Sequence, residues 1–317
     1  MTKTILSDIY GASVKSWGLF LGQEVPEEFE GFKREYEKIR SGFGLVDFSF
    51  RGRVQVTGKD RINFLHRLLS IDVKNLAPGE CVTGCFLTGT AKIQCLLDIT
   101  VTENAVCIDT HESRAKHVIQ IFEKYHFNED VAFEDVSESF GEIAIVGSQK
   151  EVVSGKGIFL GKNWNTVWTR SSEDIPKASW IGFKAFDAYR IEVREPYFGI
   201  DIDETTLQPE TGHDAWASTR KGCYAGQEII QRVRNFGHPT KRLVTFVVDT
   251  QSSVTGAKVF AEGNEVGRIT SSGLSPRFQK TVALGFVPFE MALPGKKFEI
   301  KEEGENSYAE GEIFEGS

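Results

Sequence analysis

Apolar residues recur at helical spacing in only a few stretches of the 317-residue chain, and those stretches are separated by extended runs. In residues 26–40, PEEFEGFKREYEKIR, Phe29, Phe32, Tyr36 and Ile39 share one face and glutamates crowd the first turn, which predicts a helix. Ser41, Gly42 and Gly44 break that pattern, and short strands are expected at 45–50 and 52–57. KDRINFLHRLLS predicts a second helix through Phe64, Leu65, Leu68 and Leu69. Three extended runs follow directly on one another, CVTGCFLT, IQCLLDITV and AVCIDT. ESRAKHVIQIFEKY (112–125) returns to helical spacing and VAFEDV begins another strand. SGKG at 154–157 and SSEDIPKAS at 171–179 read as loops, and AFDAYRIEVREP (185–196) as a helix through Arg190. Consecutive extended runs mixed with helices predict an α+β fold with antiparallel pairs, not a doubly wound parallel sheet.

Beyond Lys241 the texture changes. RLVTFVVDT, AKVFAEGNEVGRITSS, TVALGFV and KKFEIKEEGENSYAEGEIF alternate apolar and polar positions between Gly-containing turns, the pattern of a small β-barrel or sandwich. This sets a boundary near residue 240, with domains at 1–240 and 241–317. Residues 301–317 hold one Lys and six Glu and read as a solvated acidic end.

Composition narrows the class. With 40% hydrophobic and 26% charged residues, the chain suits an ordinary globular protein. Its length allows roughly three quarters of the unfolded surface to be buried without disulfide or metal staples. A net charge of -8 argues against nucleic-acid binding driven by charge. Cys81, Cys85, Cys95, Cys107 and Cys223 form no CxxC pair and read as reduced thiols. No secretory leader or membrane-length apolar run is visible, so a cytoplasmic location, no membrane partner and a monomer are expected. The six histidines show no ligand spacing, and DIDETT at 201–206 lacks the Gly and terminal Glu of a calcium loop. No metal site is therefore expected.

Candidate chemistry concentrates in RKGCYAGQEIIQRVRNFGHPTKRL, residues 220–243. Gly222 and Gly226 bracket Cys223 and Tyr224, and Gln227 opens a helix-like run. A cysteine ahead of a helix start, beside Arg220 and Lys221, is favoured as thiolate; the alternative is a small buried residue at a turn. Arg220, Lys221, Arg232, Arg234, Lys241 and Arg242, opposed only by Glu228, form either an anion-binding patch or a solvated helix face. Arg190 and Glu192 are a second candidate. A buried carboxylate there suits two N–H donors of a planar heterocycle, or else the two residues form a structural ion pair.

Four blocks in order resemble a known family: SGFGLVDFSFRGRVQVTGKDRINFLHRLLSIDV, RIEVREPYFGIDIDETTLQPETG, KGCYAGQE and VGRITSSGLSPRFQKTVALGFV. They are similar to the YgfZ-type folate-binding proteins of the glycine-cleavage T-protein (aminomethyltransferase) superfamily. The resemblance implies a ring-like fold of several α+β subdomains with a C-terminal antiparallel β-barrel and tetrahydrofolate, or a one-carbon derivative, in the central opening. It also implies that Glu192 holds the pterin ring with Arg190 in support, that Cys223 is the reactive residue, and that Lys221, Gly222, Tyr224, Gly226, Gln227 and Glu228 complete the signature. The implied role is that of an accessory factor for iron–sulfur client proteins, including tRNA-modifying enzymes, with no direct nucleic-acid contact and no cluster of its own. The alternative is a folate-dependent aminomethyl or methyl transferase. Aminomethyltransferases carry an Asp pair where alignment here places Cys95 and Leu96. Asp98 stands two or three residues away, a poor substitute unless one gap restores it.

Overall fold

The alternation of residues 93–101 decides how the first half of the molecule is layered. Cys95, Leu97 and Ile99 point to one side of their strand, and Leu96, Asp98 and Thr100 to the other, while a bulge ahead of Cys95 puts Ile93 with Leu96. The computed structural model of the protein describes residues 4–111, 114–150, 158–302 and 309–315. Its strands are β1 (Ser16–Phe20), β2 (Gln23–Glu28), β3 (Gly44–Asp47), β4 (Gly52–Thr57), β5 (Cys81–Leu87), β6 (Ile93–Val101), β7 (Val106–Thr110), β8 (Ala132–Asp135) and β9 (Gly141–Val146). After these come β10 (Ile158–Phe159), β11 (Trp164–Thr169), β12 (Lys241–Val248), β13 (Lys258–Ala261), β14 (Asn264–Ser275), β15 (Lys280–Pro288), β16 (Lys297–Lys301) and β17 (Ala309–Phe314). The helices are α1 (Ser7–Tyr10), α2 (Phe32–Ser41), α3 (Arg61–Leu68), α4 (Ala115–Glu123), α5 (Phe183–Glu192) and α6 (Gln227–Phe236).

A five-stranded antiparallel sheet runs β5-β6-β7-β4-β8. Helices α3 and α4 cover one face, where Phe64, Leu65, Val118 and Phe122 pack on Val54, Leu97, Ile99 and Ile108. Each such large apolar side chain contributes roughly 1.5–3 kcal/mol relative to exposure. The other face carries Asp98, Thr100 and Asp109 towards a four-stranded sheet ordered β10-β11-β9-β3. Between the two sheets lie buried charged groups, because strand alternation places Asp98 and Asp109 there and Arg51 and Glu142 meet them.

The antiparallel α+β expectation holds, as does the barrel. Strands β12-β15-β14-β13-β16-β17 close on themselves around Phe246, Val259, Ile269, Ile300 and Ile313. Its first strand begins at Lys241. The acidic end is in part a barrel strand, contrary to expectation. In β17, Gly311 and Ile313 point inward and Glu310 and Glu312 outward, so the glutamates are the solvent face of a paired strand. Residues 303–308 lie outside the described residues, as does the SGKG loop at 154–157.

The helix expected over 26–40 starts later, at Phe32. Residues 23–28 pair with β1 in a two-stranded sheet, in which both strands are edges and Pro26 removes only one ladder donor. Glu35, fully buried, accepts the N–H groups of Phe29, Glu30 and Gly31 on Oε1 and that of Gly182 on Oε2, at 2.6–2.8 Å. That carboxylate fixes the turn into α2 and ties it to the start of α5. Helix α5 runs two residues beyond Arg190 and leans on the barrel. Thr245 Oγ1 donates to the Ile191 carbonyl at 3.1 Å, and Arg190 Nη2 to Ser271 Oγ at 3.0 Å.

Candidate functional site

Helix α5 ends where the two sheets come together, and the chain leaving it shapes a cavity of about 760 Å³. Val193 follows the helix, and Arg194 takes a left-handed φ of 55°, reversing the chain so that Glu195 faces the cavity. Strand β6 contributes Asp98, the segment before β11 contributes Lys162 and Asn163, and residues 212–216 close one side with His213 and Trp216.

Two buried carboxyl groups dominate the lining, and their surroundings push them in opposite directions. Glu195 is 3% exposed; Asn163 Nδ2 donates to its Oε2, and Arg190 Nη1 donates to its main-chain carbonyl at 3.1 Å. Burial, reinforced by the negative charge of Asp98, raises its pKa to about 8. Burial raises that of Asp98 as well, but the Arg51 guanidinium at 2.6 Å, the nearby His111 ring and the Thr83 hydroxyl at 2.6 Å outweigh it and hold the group below the usual carboxylate range. At neutral pH one is therefore an acid and the other a carboxylate.

The aromatic side of the cavity is preorganised. The His213 ring stacks on Trp216 with centroids 4.1 Å apart and planes within 9°. His213 Nε2 lies 3.0 Å from the Arg194 carbonyl and donates to it, and burial lowers the pKa of the ring to about 3, keeping it neutral. Lys162 is exposed among the lining residues, and Arg194 Nε is buried with no hydrogen-bond partner among the described residues.

The sequence-derived candidates are placed differently. Glu192 is not among the residues lining this cavity. Tyr189 and Val193, four apart, face it, and Glu192 is rotated about 100° from Val193. Its Oε1 accepts Tyr36 Oη at 2.6 Å and Ser275 Oγ at 2.5 Å, joining α2, α5 and the barrel. Arg190 is a structural hub. It donates to Asp187 at 2.6 Å and Asp201 at 2.8 Å, and it lies over the Tyr197 ring. Lys221 turns away from the cavity and caps α3, donating to the carbonyls of His66 and Leu69; burial lowers its pKa to about 8. Tyr224 packs with Phe198, Trp216 and Ile230 and donates to the Ser218 carbonyl at 2.8 Å.

Gly226, at φ 79°, is the N-cap of α6 and lies against the β5–β6 turn. A Cβ there would stand 2.7 Å from Ala91 Cα and Thr88 O. Gln227 Nε2 donates to the Lys221 carbonyl at 3.3 Å, Glu228 is exposed, and nothing crowds Gly222. Cys223 is exposed, whereas the other four cysteines are buried. Three cations of the basic segment are engaged within the fold: Lys221 caps α3, Arg234 donates to the carbonyls of Ala217 and Asp214, and Lys241 lies 3.9 Å from Glu210.

Asp98 lines the cavity. Cys95 packs under α3 and α4, and Leu96 packs with Trp216 and Tyr224. The alternation of β6 was the signal for this, since Cys95, Leu97 and Ile99 face α3 and α4 and Asp98 is on the opposite side. Glu195, Asn163, His213 and Trp216 carried no such mark.

The architecture is that of a two-part α+β protein with a paired-carboxyl cavity in its first part and a closed barrel as its second. The GCVT N-terminal domain model matches residues 7–156, and the glycine cleavage T-protein C-terminal barrel domain model matches residues 241–310. An aminomethyltransferase of Lysinibacillus sphaericus is 24% identical over 93% of this chain and 91% of its own. That of Thermosipho melanesiensis is 25% identical over 93% and 87%, and that of Bacillus subtilis 24% over 95% of each. The crystal structure of the glycine cleavage system aminomethyltransferase T from Bartonella henselae superposes with a TM-score of 0.83 at 20% identity, covering 99% of this chain and 97% of that one. The chain carries both glycine-cleavage T-protein domains and has the T-protein fold. Among the described residues no helix is long and apolar enough to cross a membrane.

Proposed function

We propose that the protein binds a tetrahydrofolate derivative in the cavity beside α5 and carries out a folate-dependent one-carbon transfer of the aminomethyltransferase type. The observation that carries this reading is two buried carboxyl groups in one cavity, Asp98 held by Arg51 and Thr83 and Glu195 held by Asn163; their surroundings favour the charged form of the first and the neutral form of the second, the arrangement by which one site holds a base and an acid at the same pH. The residues fit such a ligand. The volume lies within the range of about 300–1,000 Å³ common for cofactor-sized pockets. The stacked His213–Trp216 pair offers a flat surface, and Arg194 Nε and Lys162 suit the carboxylates of a glutamyl tail. Bound tetrahydrofolate would supply the amine that accepts a one-carbon unit. Asp98 receives an N–H and stabilises positive charge beside it, while Glu195 donates a proton or a hydrogen bond. In this reading residues 1–240 form the folate-binding domain, and 241–317 form a barrel that braces α5.

Calorimetry with tetrahydrofolate, paired with a turnover assay on methylene and aminomethyl donors, tests it. Asp98→Asn is expected to weaken binding by about 2 kcal/mol, the scale of one charged hydrogen bond, and to abolish turnover. Unchanged affinity and turnover in that variant would reject the assignment.

A second reading, an accessory role for iron–sulfur client proteins including tRNA-modifying enzymes, is favoured by one observation. The KGCYAGQE segment anchors Lys221, Tyr224 and Gly226 yet leaves Cys223 exposed. Cys223→Ala is then expected to keep folate affinity but fail to restore an iron–sulfur-dependent activity in cells lacking the protein, and full rescue rules the role out.

A further inference from the structure

Arg51 does not line the cavity. It is 1% exposed and stands behind Asp98, in the seam between the two sheets. All three directions of its guanidinium are used: Nη2 donates to Asp98 Oδ2 at 2.6 Å, Nη1 to Glu142 Oε1 at 3.0 Å and Nε to the Thr110 carbonyl at 3.0 Å. Thr83 Oγ1 donates to the other Asp98 oxygen at 2.6 Å. A carboxylate oxygen accepts two hydrogen bonds, so each oxygen of Asp98 keeps one acceptor site for a cavity ligand.

Of the other groups around Asp98, His111 also favours its ionised form, without being a permanent cation. His111 Nε2 lies 3.7 Å from Oδ2, but burial lowers the pKa of that ring to about 3, so it is neutral. Asp109 on β7, Glu142 on β9 and Glu195 after α5 are further carboxyl groups, and Cys81 on β5 is a buried thiol. Arg53 turns elsewhere, to the carbonyls of Arg51, Ser49 and Ser137. Among the described residues, Arg51 is the permanent cation paired with Asp98.

We infer that Arg51 is a positioning residue which fixes the plane of the Asp98 carboxylate and keeps it charged in the cavity wall, so that recognition of the N–H face of a reduced pterin depends on Arg51 through Asp98. This inference rests on the folate reading of the cavity. The planar fork reaches Asp98, Glu142 and Thr110 at once; a lysine ammonium is a point charge that cannot keep all three contacts in that geometry.

The test uses the full-length protein, with tetrahydrofolate calorimetry under anaerobic conditions between pH 5 and 8 and carbon-13 NMR of the Asp98 carboxyl, assigned by its absence in Asp98→Asn. Arg51→Lys is expected to move the Asp98 titration upward and to weaken binding about tenfold at the acidic end, with a smaller loss at pH 8. Asp98→Asn is expected to weaken binding at every pH, and adding Arg51→Lys to it should change nothing further. An Arg51→Lys protein that titrates and binds as the wild type overturns the inference, as does a second loss of equal size in the Asp98→Asn background, which would mark a structural effect. Should Arg51→Lys not fold, the wild-type titration decides. An Asp98 carboxyl that stays ionised well below the ordinary range supports the inference, and one that titrates at or above it does not. Intact affinity in Asp98→Asn rejects the folate reading and this inference together. A normal loss there with no effect of Arg51→Lys rejects only the role of Arg51.

Discussion

The cavity wall and the KGCYAGQE segment use polar residues in opposite ways. In the segment, Lys221, Tyr224 and Gly226 are consumed by the fold, as a cap on α3, a core side chain and a close approach to the β5–β6 turn, while Cys223 remains exposed. In the wall, Asp98 and Glu195 are buried, keep acceptor or donor capacity towards a cavity and have their protonation split by neighbours. The segment is continuous in sequence, whereas the wall is assembled from residues nearly a hundred positions apart. A dense motif can therefore be mainly an anchoring device, and a site can be built from residues that no motif marks.

The largest expected effect falls on the support of the wall. Arg190→Met leaves Asp187 and Asp201 without their buried counter-charge and releases the Glu195 carbonyl; a loss of about 3–5 kcal/mol in urea denaturation is expected. A loss under 1 kcal/mol would mean that Glu195 is not held from this direction. Next comes the anchoring of the segment. Gly226→Ala must adopt a left-handed φ and push against Ala91 and Thr88, and about 3 kcal/mol of destabilisation is expected from strain and overpacking together. If the variant is as stable as the wild type, the segment is not seated on the hairpin.

Glu195→Gln sharpens the electrostatic side of the comparison. The folded group has a raised pKa of about 8 against an ordinary value near 4.3, so the native state holds a proton that the unfolded chain releases. Its contribution to stability is full below the ordinary value and is lost as pH rises towards 8. Relative to the wild type, the glutamine variant is expected to gain thermal stability steadily across that window, and parallel pH profiles of Tm would refute the protonated assignment. The smallest effect is expected at Cys223→Ser, within about 0.5 kcal/mol, as for an exposed side chain with no packing role. A larger loss would show that Cys223, too, belongs to the anchor.

Much of the fold was legible along the chain. The three extended runs became β5, β6 and β7, the periodic stretches became α3 and α4, and the alternating texture after Lys241 became the barrel. The misreadings have specific causes. Pro26 and its neighbours have helical spacing but are claimed by pairing with β1, and the glutamates of the last segment are the outer positions of a strand. Apart from these, Glu192 closes α5 and bonds to Tyr36 and Ser275, while Val193 and the left-handed Arg194 turn the chain so that Glu195 reaches the cavity.

By itself, the sequence determined the α+β class, the barrel and the face of β6 on which Asp98 stands. Those are consequences of local periodicity and of which side chains avoid water. Only the tertiary structure decided that Asp98, Glu195, His213 and Trp216 line one cavity, and which of the two carboxyl groups keeps its proton. Convergence of distant segments, and the burial and neighbouring charge that follow from it, set both outcomes, and neither is a property of any local stretch of residues.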